Sequence, residues 1–278
     1  MPVIVVTDSA ARLPTELADA HGIRVVPLHI LLDGADLHDG VDDVPPDIHD
    51  RQASTAGASP EELRTAYRRA LADSDGAGVV AVHLSAALSS TFGAAQQAAA
   101  EVGPEVAVVD SRSTAMGTGF VALAAARAAA AGADRHAVAA QAHSAIGRSH
   151  GYIVVHRLDN LRRSGRIGGA AAWLGTALSL KPLLRIDDGK LVLAQRVRTP
   201  SKAVATMIDR VCEVVGPRAA ALAVHHVANP DGADEVAAVL AERLPACPPA
   251  LRSELGPVLA LHVGAGAVAV VADVPEGE

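Results

Sequence analysis

The sequence predicts an α/β protein made of two α/β domains, and three observations support this. Short apolar runs alternate with helix-forming segments through the first half, which is typical of a mainly parallel sheet covered by helices. In the second half, Asp187-Asp188-Gly189 separates two apolar runs and indicates a hairpin, so the second sheet should be mixed. Half of the 278 residues are apolar, which is enough for two cores. We therefore divide the chain into residues 1–150 and 151–278.

The first half contains four strand candidates and four helix candidates. The predicted strands are residues 3–6, 24–32, 79–83 and 106–109. The predicted helices are residues 14–20, 60–72, 93–100 and 117–131. The second helix has clear start signals, because Ser59 is a good N-cap, Pro60 suits the first turn and acidic residues follow.

The second half changes character near Ser149-His150-Gly151. The predicted strands are residues 152–155, 183–186, 191–197, 219–224 and 268–272. The predicted helices are residues 200–215 and 233–244. A hairpin beside strand–helix–strand units favours a separate domain with a mixed sheet.

Composition excludes several classes of function. The net charge of −7 argues against a nucleic-acid-binding or anionic-membrane surface. Cys212 and Cys247 form neither a disulfide framework nor a metal-binding spacing, so we interpret them as thiols in a reducing compartment. No targeting signal and no apolar segment long enough to span a bilayer is recognisable. We expect a cytoplasmic protein without a membrane span.

The most informative segment is rich in hydroxyl groups. Residues 84–92, which we call the hydroxyl loop, include Ser89, Ser90 and Thr91 between a predicted strand and a predicted helix. Backbone N–H groups at the start of that helix and the positive end of its dipole would face the same point as the hydroxyls. The loop therefore predicts an anion-binding pocket. The alternative is that one of these hydroxyls is only an N-cap.

Other motifs give weaker signals. Two glycine-rich segments, residues 117–122 and 264–269, resemble dinucleotide-binding fingerprints but lack the required strand–turn–helix context. We therefore predict no cofactor, no metal site and no catalytic residue. One enzymatic alternative stays open, a serine hydrolase acting on a lipid-like ester through Ser89, His262 and Asp110. The missing G-x-S-x-G nucleophile elbow weighs against it.

Short motifs also follow one another in a fixed order along nearly the whole chain. They are Thr7-Asp8-Ser9, residues 22–28, Asp39-Gly40, residues 55–60, the hydroxyl loop, residues 109–111, 116–119, 158–167, 181–184, 188–189, 197–199 and 256–266. Each motif is unspecific, but their joint order resembles that of the DegV family of bacterial fatty-acid-binding proteins.

The resemblance implies a long-chain fatty acid buried in the first domain. It places Thr55 and Ser89 on the carboxylate, and we predict Ser90 and His262 as further carboxylate-binding residues. It places His262 and Arg166 toward the carboxylate mouth or the surface for a partner. That partner is a separate ATP-dependent fatty acid kinase subunit, which makes an acyl phosphate for phospholipid metabolism, so this chain would be a carrier and not an enzyme.

Each assignment has a structural alternative, and the chain departs from the family pattern at several positions. Thr55 could be only a loop hydroxyl, His262 a core residue, and Arg166 part of a solvated helix face. Ser90 replaces a glycine, residues 56–58 read Ala-Gly-Ala where Ser-Gln-Pro is usual, and Ala265 replaces a proline. These departures leave the predicted carboxylate ligands intact but put the acyl-chain preference in doubt.

Overall fold

A computed structural model describes residues 2–167 and 181–276. These residues form two compact units. The first unit comprises residues 2–44 and 53–147, and the second comprises residues 45–52 together with the described residues from 148 onward. A single division of the chain near residue 150 does not describe both units, because the short segment 45–52 packs with the second unit. Ile48, in a 3-10 helical turn of that segment, is buried there.

The first unit contains seven strands and five helices among the described residues. The strands are β1 (Ile4–Asp8), β2 (Arg24–Val26), β3 (His29–Leu32), β4 (Ala35–His38), β5 (Ala53–Ala56), β6 (Val79–His83) and β7 (Val106–Asp110). The helices are α1 (Thr15–Ala20), α2 (Pro60–Asp73), α3 (Thr91–Val102), α4 (Met116–Ala130) and α5 (Arg135–Arg148).

The main sheet of the first unit is parallel, in the strand order β2-β1-β6-β7. All five residues of β6 are buried, as a strand covered on both faces requires. The prediction of a parallel sheet covered by helices is confirmed. Gly119 lets α4 lie close to the turn after β1, since a Cβ at this position would stand 2.9 Å from the Ala11 carbonyl oxygen.

A second, antiparallel sheet in this unit has the order β4-β3-β5. The single strand predicted over residues 24–32 is wrong, because it divides into β2 and β3, which belong to different sheets. Pro27 has no N–H to donate to a ladder. The neighbouring Leu28 donates its N–H to Ser9 Oγ at 3.0 Å and accepts from the Asp39 N–H at 2.8 Å, so its backbone leaves the main sheet.

The second unit contains six strands and four helices among the described residues. The strands are β8 (Ser149–Val154), β9 (Lys181–Asp187), β10 (Lys190–Val197), β11 (Ala221–His226), β12 (Leu251–Glu254) and β13 (Val268–Asp273). The helices are α6 (Asp159–Ser164), α7 (Pro200–Val215), α8 (Pro230–Arg243) and α9 (Gly256–Val263).

The sheet of the second unit is mixed, in the order β10-β9-β8-β13-β11-β12. Only the β11–β12 pair is parallel within it, which confirms the predicted mixed sheet. The predicted hairpin joins β9 and β10, and its turn residues Asp188 and Gly189 have φ of 46° and 77°. Positive φ at both positions suits the right-handed twist of the two strands. No helix within residues 2–167 and 181–276 is long and apolar enough to cross a bilayer.

Candidate functional site: the hydroxyl loop and its surroundings

The hydroxyl loop lies at the switch point of the parallel sheet. The chain passes from β1 to β2 on one side of the sheet and then to β6 and β7 on the other. The ends of β1 and β6 therefore diverge into loops on opposite sides, and open α/β sheets bind ligands in the crevice that this reversal creates. The loop follows β6 directly, so the topology places its hydroxyl groups at that crevice.

A buried carboxylate fixes the beginning of the loop. Asp8, at the end of β1, accepts from the Leu84 N–H at 3.0 Å and from the Ala10 N–H at 3.1 Å. It also accepts from His83 Nδ1 at 2.9 Å, and His83 Nε2 lies 2.7 Å from the Tyr67 hydroxyl. With the Nδ1 proton directed at a carboxylate, Nε2 accepts from the tyrosine. Burial, and next the charge of Asp8, raises the pKa of Tyr67, which therefore keeps its proton.

The sequence did not single out this Asp8–His83–Tyr67 chain. Thr7-Asp8-Ser9 was recognised only as a motif, whereas His83 lay in the predicted strand and Tyr67 in the predicted helix. The available signal was an aspartate directly after a buried apolar strand, a position that requires partners for the charge. These three residues support the loop that follows β6, and their side chains have no exposed surface.

The middle of the loop is a tight turn around Ser85. The Ser85 carbonyl accepts from the N–H groups of Leu88 and Ser89, and its N–H donates to the Ser113 carbonyl at 2.8 Å. Ser85 Oγ accepts from the Ala87 N–H at 3.1 Å. The backbone that carries Ser89 is therefore held on both sides, which gives the predicted ligand a fixed position.

Ser89 and Thr91 form the start of α3. Ser89 Oγ accepts from the Thr91 N–H at 3.2 Å and lies 2.9 Å from Thr91 Oγ1. The helix begins at Thr91, two residues before the predicted start, so these hydroxyls stand at the helix N-terminus itself. Ser89 thus has a capping contact and remains half-buried, while Ser90 is exposed and makes no side-chain capping bond.

The Thr55 segment approaches the same helix end. A Cβ added to Gly57 would stand 2.5 Å from Thr91 Oγ1 and 3.5 Å from Ser90 Oγ. Thr55 itself is half-buried on β5, opposite Ile30 of β3. Two segments separated by more than thirty residues therefore converge on one point, and both were selected from sequence as carboxylate ligands.

Asp110, which the hydrolase alternative places in a triad with Ser89 and His262, binds backbone N–H groups instead. Asp110, at the end of β7, accepts from the N–H groups of Arg112 at 2.9 Å and Ala86 at 3.3 Å. The histidine–carboxylate pair that does lie beside the hydroxyl loop, His83 with Asp8, directs its outer nitrogen at a tyrosine and not at a serine. This arrangement does not favour the hydrolase, in which a histidine must reach the nucleophilic hydroxyl.

His262 and Arg166 lie together in the second unit. His262 is near the end of α9, and Arg166 follows α6. Burial of the His262 ring, and next the charge of Arg166, lowers the pKa of His262 to about 4. The imidazole is therefore neutral at neutral pH, and Arg166 supplies the positive charge of this pair.

A cavity of about 540 Å³ adjoins these helices in the second unit. Its basic lining residues are His49, His156, Arg157 and Arg163, and Asn160 and Gly264 also face it. Asp159 accepts from Arg157 at 2.9 Å, and Asn160 accepts from Arg163 at 2.8 Å. The cavity is therefore lined by basic, acidic and apolar side chains, and two of its arginines are hydrogen-bonded to neighbouring residues.

Comparison with known proteins decides the family. The family model described as "Uncharacterised protein, DegV family" matches residues 2–274. A DegV domain-containing protein of Mycobacterium tuberculosis is 68% identical over 274 residues, which cover 99% of this chain and 98% of that protein. The chain belongs to the DegV family. The resemblance identified from the ordered motifs is confirmed.

Solved DegV structures share the fold over nearly the full chain. A Thermus thermophilus DegV family protein, whose structure is described by its fatty acid binding, has a TM-score of 0.92 and 33% identity, covering 99% of this chain and 100% of that one. Bacillus subtilis DegV, described as a fatty acid binding protein, has a TM-score of 0.90 and 26% identity with the same coverage.

The departures from the DegV pattern face one another across the site. Gly57 stands where the pattern has glutamine, and Ser90 stands where it has glycine. The missing side chain at 57 lies opposite the added side chain at 90, with 3.5 Å between the Cβ position and Ser90 Oγ. The two departures are therefore neighbours in the structure.

Proposed function

We propose that this protein binds a long-chain fatty acid and presents its carboxylate to a separate ATP-dependent fatty acid kinase. The observation that carries the proposal is the convergence of the Thr55 segment and the hydroxyl loop, at Gly57, on the N-terminus of α3. The fatty acid binding described for the Thermus and Bacillus relatives supports it. Thr55, Ser89 and Ser90 are the proposed carboxylate ligands in the first unit.

The chemistry suits a carrier. A buried carboxylate is costly unless its oxygens accept hydrogen bonds, and two hydroxyls with the N–H groups of a helix end supply donors without adding a charge. The acyl chain supplies the main driving force, since about 14 methylenes at about 0.8 kcal/mol each offer roughly 11 kcal/mol before the costs of binding. We place that chain in the apolar core of the first unit.

Presentation to a kinase needs positive charge, which the hydroxyl groups lack. We assign this role to Arg166, with the neutral His262 beside it as a hydrogen-bond donor. Cationic donors stabilise a phosphoryl group during transfer, and the cavity with Arg157 and Arg163 extends the cationic character of the same unit. In this proposal the chain performs no covalent chemistry itself.

Removal of the Ser89 hydroxyl tests the carboxylate site. Ser89→Ala should weaken fatty acid binding by about 1–3 kcal/mol, because a buried oxygen loses its partner. The measurement is the dissociation constant for a series of saturated and monounsaturated long-chain acids, with lipid occupancy after purification determined by mass spectrometry. Ser144→Ala, on the exposed side of α5, is the matched control. Unchanged affinity in Ser89→Ala would remove Ser89 from the site.

Gly57 tests the convergence itself. Gly57→Ala introduces a Cβ that displaces Thr91 and should reduce affinity for the same acids without unfolding the protein. Gly93→Ala adds the same atom on α3, where nothing lies within 4 Å, and should bind normally. Equal affinities in the two variants would contradict the proposed position of the carboxylate.

The kinase step has its own experiment. Arg166→Ala should keep lipid occupancy and slow acyl-phosphate formation by a cognate kinase, and His262→Ala should do the same with some loss of binding. Normal turnover of both lipid-loaded variants would show that Arg166 and His262 do not take part in acyl-phosphate formation. Labelling of Ser89 by a fluorophosphonate would instead support the hydrolase.

A further inference from the structure

A second group of polar residues lies in the first unit and includes none of the proposed carboxylate ligands. The antiparallel pairing of β3 and β4 places His29 opposite His38, with ring centroids 4.8 Å apart. Glu62, from the first turn of α2, lies against both rings. We call His29, His38 and Glu62 the histidine cluster; its nitrogen and carboxylate ligand atoms all lie within 4.8 Å of one another.

Each imidazole of the cluster is oriented by its own carboxylate. His29 Nδ1 lies 2.8 Å from Asp36 Oδ1, and His38 Nδ1 lies 2.9 Å from Asp42 Oδ2. Both Nε2 atoms consequently point at Glu62, His29 at 3.1 Å from Oε2 and His38 at 3.7 Å from Oε1. A carboxylate on the far nitrogen is the arrangement that fixes the ring and the tautomer of metal-bound histidines.

We propose that the histidine cluster binds a divalent transition metal of the zinc class. His29 Nε2, His38 Nε2 and a Glu62 oxygen are the three protein ligands, and solvent completes the coordination. Two imidazoles and one carboxylate are a donor set that zinc uses with an open fourth position. This site uses none of the proposed fatty acid ligands, although His29 pairs with Ala56, the residue next to Thr55. It does not depend on the proposed carrier function.

The distances suit such an ion. Ligand atoms about 2 Å from a tetrahedral zinc lie about 3.3 Å from one another, and the separations of the two Nε2 atoms from Glu62 are 3.1 and 3.7 Å. Without metal, a proton on His29 Nε2 bridges to Glu62, and the metal replaces that proton. The three ligand atoms lie within 4.8 Å of one another, so metal binding would draw these side chains closer together.

Charge and access also favour a cation. The carboxylates of Asp36, Asp42 and Glu62 surround two imidazoles. The His38 and Glu62 side chains are 37% and 34% exposed, which leaves an open path from solvent.

A bound metal would strengthen the connection between the small sheet and α2. Glu62 also closes the capping box of this helix, accepting from the Ser59 N–H at 2.8 Å and from Ser59 Oγ at 2.6 Å. Metal binding to the folded state alone raises the stability of that state by mass action. Zinc should therefore raise the thermal midpoint of the protein.

The experiment is a calorimetric titration of chelator-treated full-length protein with Zn²⁺, repeated with Co²⁺ for its absorption spectrum. We expect one saturable Zn²⁺ per chain, a tetrahedral-type Co²⁺ spectrum and a zinc-dependent rise in Tm. Affinity should fall at least about tenfold in His38→Ala and in Glu62→Gln, and also in Asp42→Asn through the lost support of His38. Glutamine can keep the capping box, so Glu62→Gln should remain folded.

His143→Ala, which removes an exposed histidine of α5, is the control and should bind zinc like the wild type. Absence of saturable binding, or equal affinity in wild type, His38→Ala and Glu62→Gln, would overturn the proposal. An equal loss in His143→Ala would assign the zinc to surface histidines and overturn it too. Fatty acid affinity in His38→Ala is measured in parallel and should be unchanged, which separates this site from the carrier function.

Discussion

The first unit contains two histidine–carboxylate groups with opposite surroundings. His83 has both ring nitrogens occupied, one by Asp8 and one by the Tyr67 hydroxyl, and none of these residues has exposed surface. In the histidine cluster, His29 and His38 share one carboxylate at Nε2, and that carboxylate is one-third exposed. The first group is closed and complete, whereas the second is open to solvent.

This difference indicates different roles: the first group supports the backbone, whereas the second is suited to bind a ligand. A closed group fixes geometry, because any change of protonation or partner leaves a buried atom unsatisfied. An open group can exchange a proton for a metal ion, since water reaches His38 and Glu62. The same pair of residue types therefore stabilises the hydroxyl loop in one place and offers a ligand site in the other.

The largest effect is expected from removal of the closed carboxylate. Asp8→Ala leaves His83 Nδ1 and the N–H groups of Ala10 and Leu84 without their acceptor, which should lower the free energy of unfolding by roughly 3–5 kcal/mol. Urea unfolding measures it. Asp73→Ala, which breaks the exposed ion pair with Arg24, should cost at most about 1 kcal/mol. Similar losses in both variants would contradict the distinction between closed and open groups.

His262 adds a third histidine environment, in which the charged neighbour is the Arg166 guanidinium and not a carboxylate. Its pKa is lowered from 6.5 to about 4, so the unfolded state binds more protons between these values. Stability should be intact above pH 6.5 and should fall, by up to roughly 3 kcal/mol, as the pH drops toward 4. Thermal unfolding across this range should show a weaker acid dependence in His262→Gln. An unchanged profile would mean that the ring is not held neutral.

Removal of the Tyr67 hydroxyl tests how much its hydrogen bond to His83 contributes to stability. Tyr67→Phe deprives His83 Nε2 of its donor and should destabilise the protein by about 1–3 kcal/mol. Tyr152→Phe, at a half-buried position of β8, provides the matched change and should cost less. Denaturant midpoints of the two variants give the comparison. A smaller loss in Tyr67→Phe than in Tyr152→Phe would show that the bond contributes little.

The smallest effect concerns the open cluster and has the opposite pH sign to His262. Because the pKa of His29 is raised above 6.5 in the folded state, its ion pairs stabilise fully below 6.5, and this stability is lost as pH rises through the folded-state pKa. The groups that face His29 are Asp36, Glu62 and the His38 ring. The difference in unfolding free energy between wild type and His29→Gln should shrink with rising pH, by less than about 1 kcal/mol, since the partners are solvated. A difference that grows with pH would refute this sign.

Local chemistry allowed the fold class and part of the site to be predicted from sequence. The alternation of buried strands and helices, the Asp188-Gly189 turn and the hydroxyls before α3 are properties of neighbouring residues, which propensity and capping describe well. Thr55 was predicted as a carboxylate ligand from the ordered DegV motifs, and its neighbouring residues alone do not indicate this role. Helix α5 was not predicted at all, although Asp134 accepts from the Ala137 N–H at its start as a capping residue does.

The remaining features depend on contacts between residues that are distant along the chain. Residues 45–52 pack with the second unit, Gly57 meets Thr91, and Tyr67 reaches His83 across the fold. The histidine cluster arises because β3 pairs with β4 and because α2 begins beside them, and neither pairing register nor helix placement is encoded in the spacing of its three members. Sequence by itself determined strands β1, β6 and β7 of the parallel sheet, the Asp188-Gly189 turn and helices such as α2, since those choices are made within a few residues. Only the tertiary structure decided which polar side chains meet, since burial and pairing are properties of the whole chain.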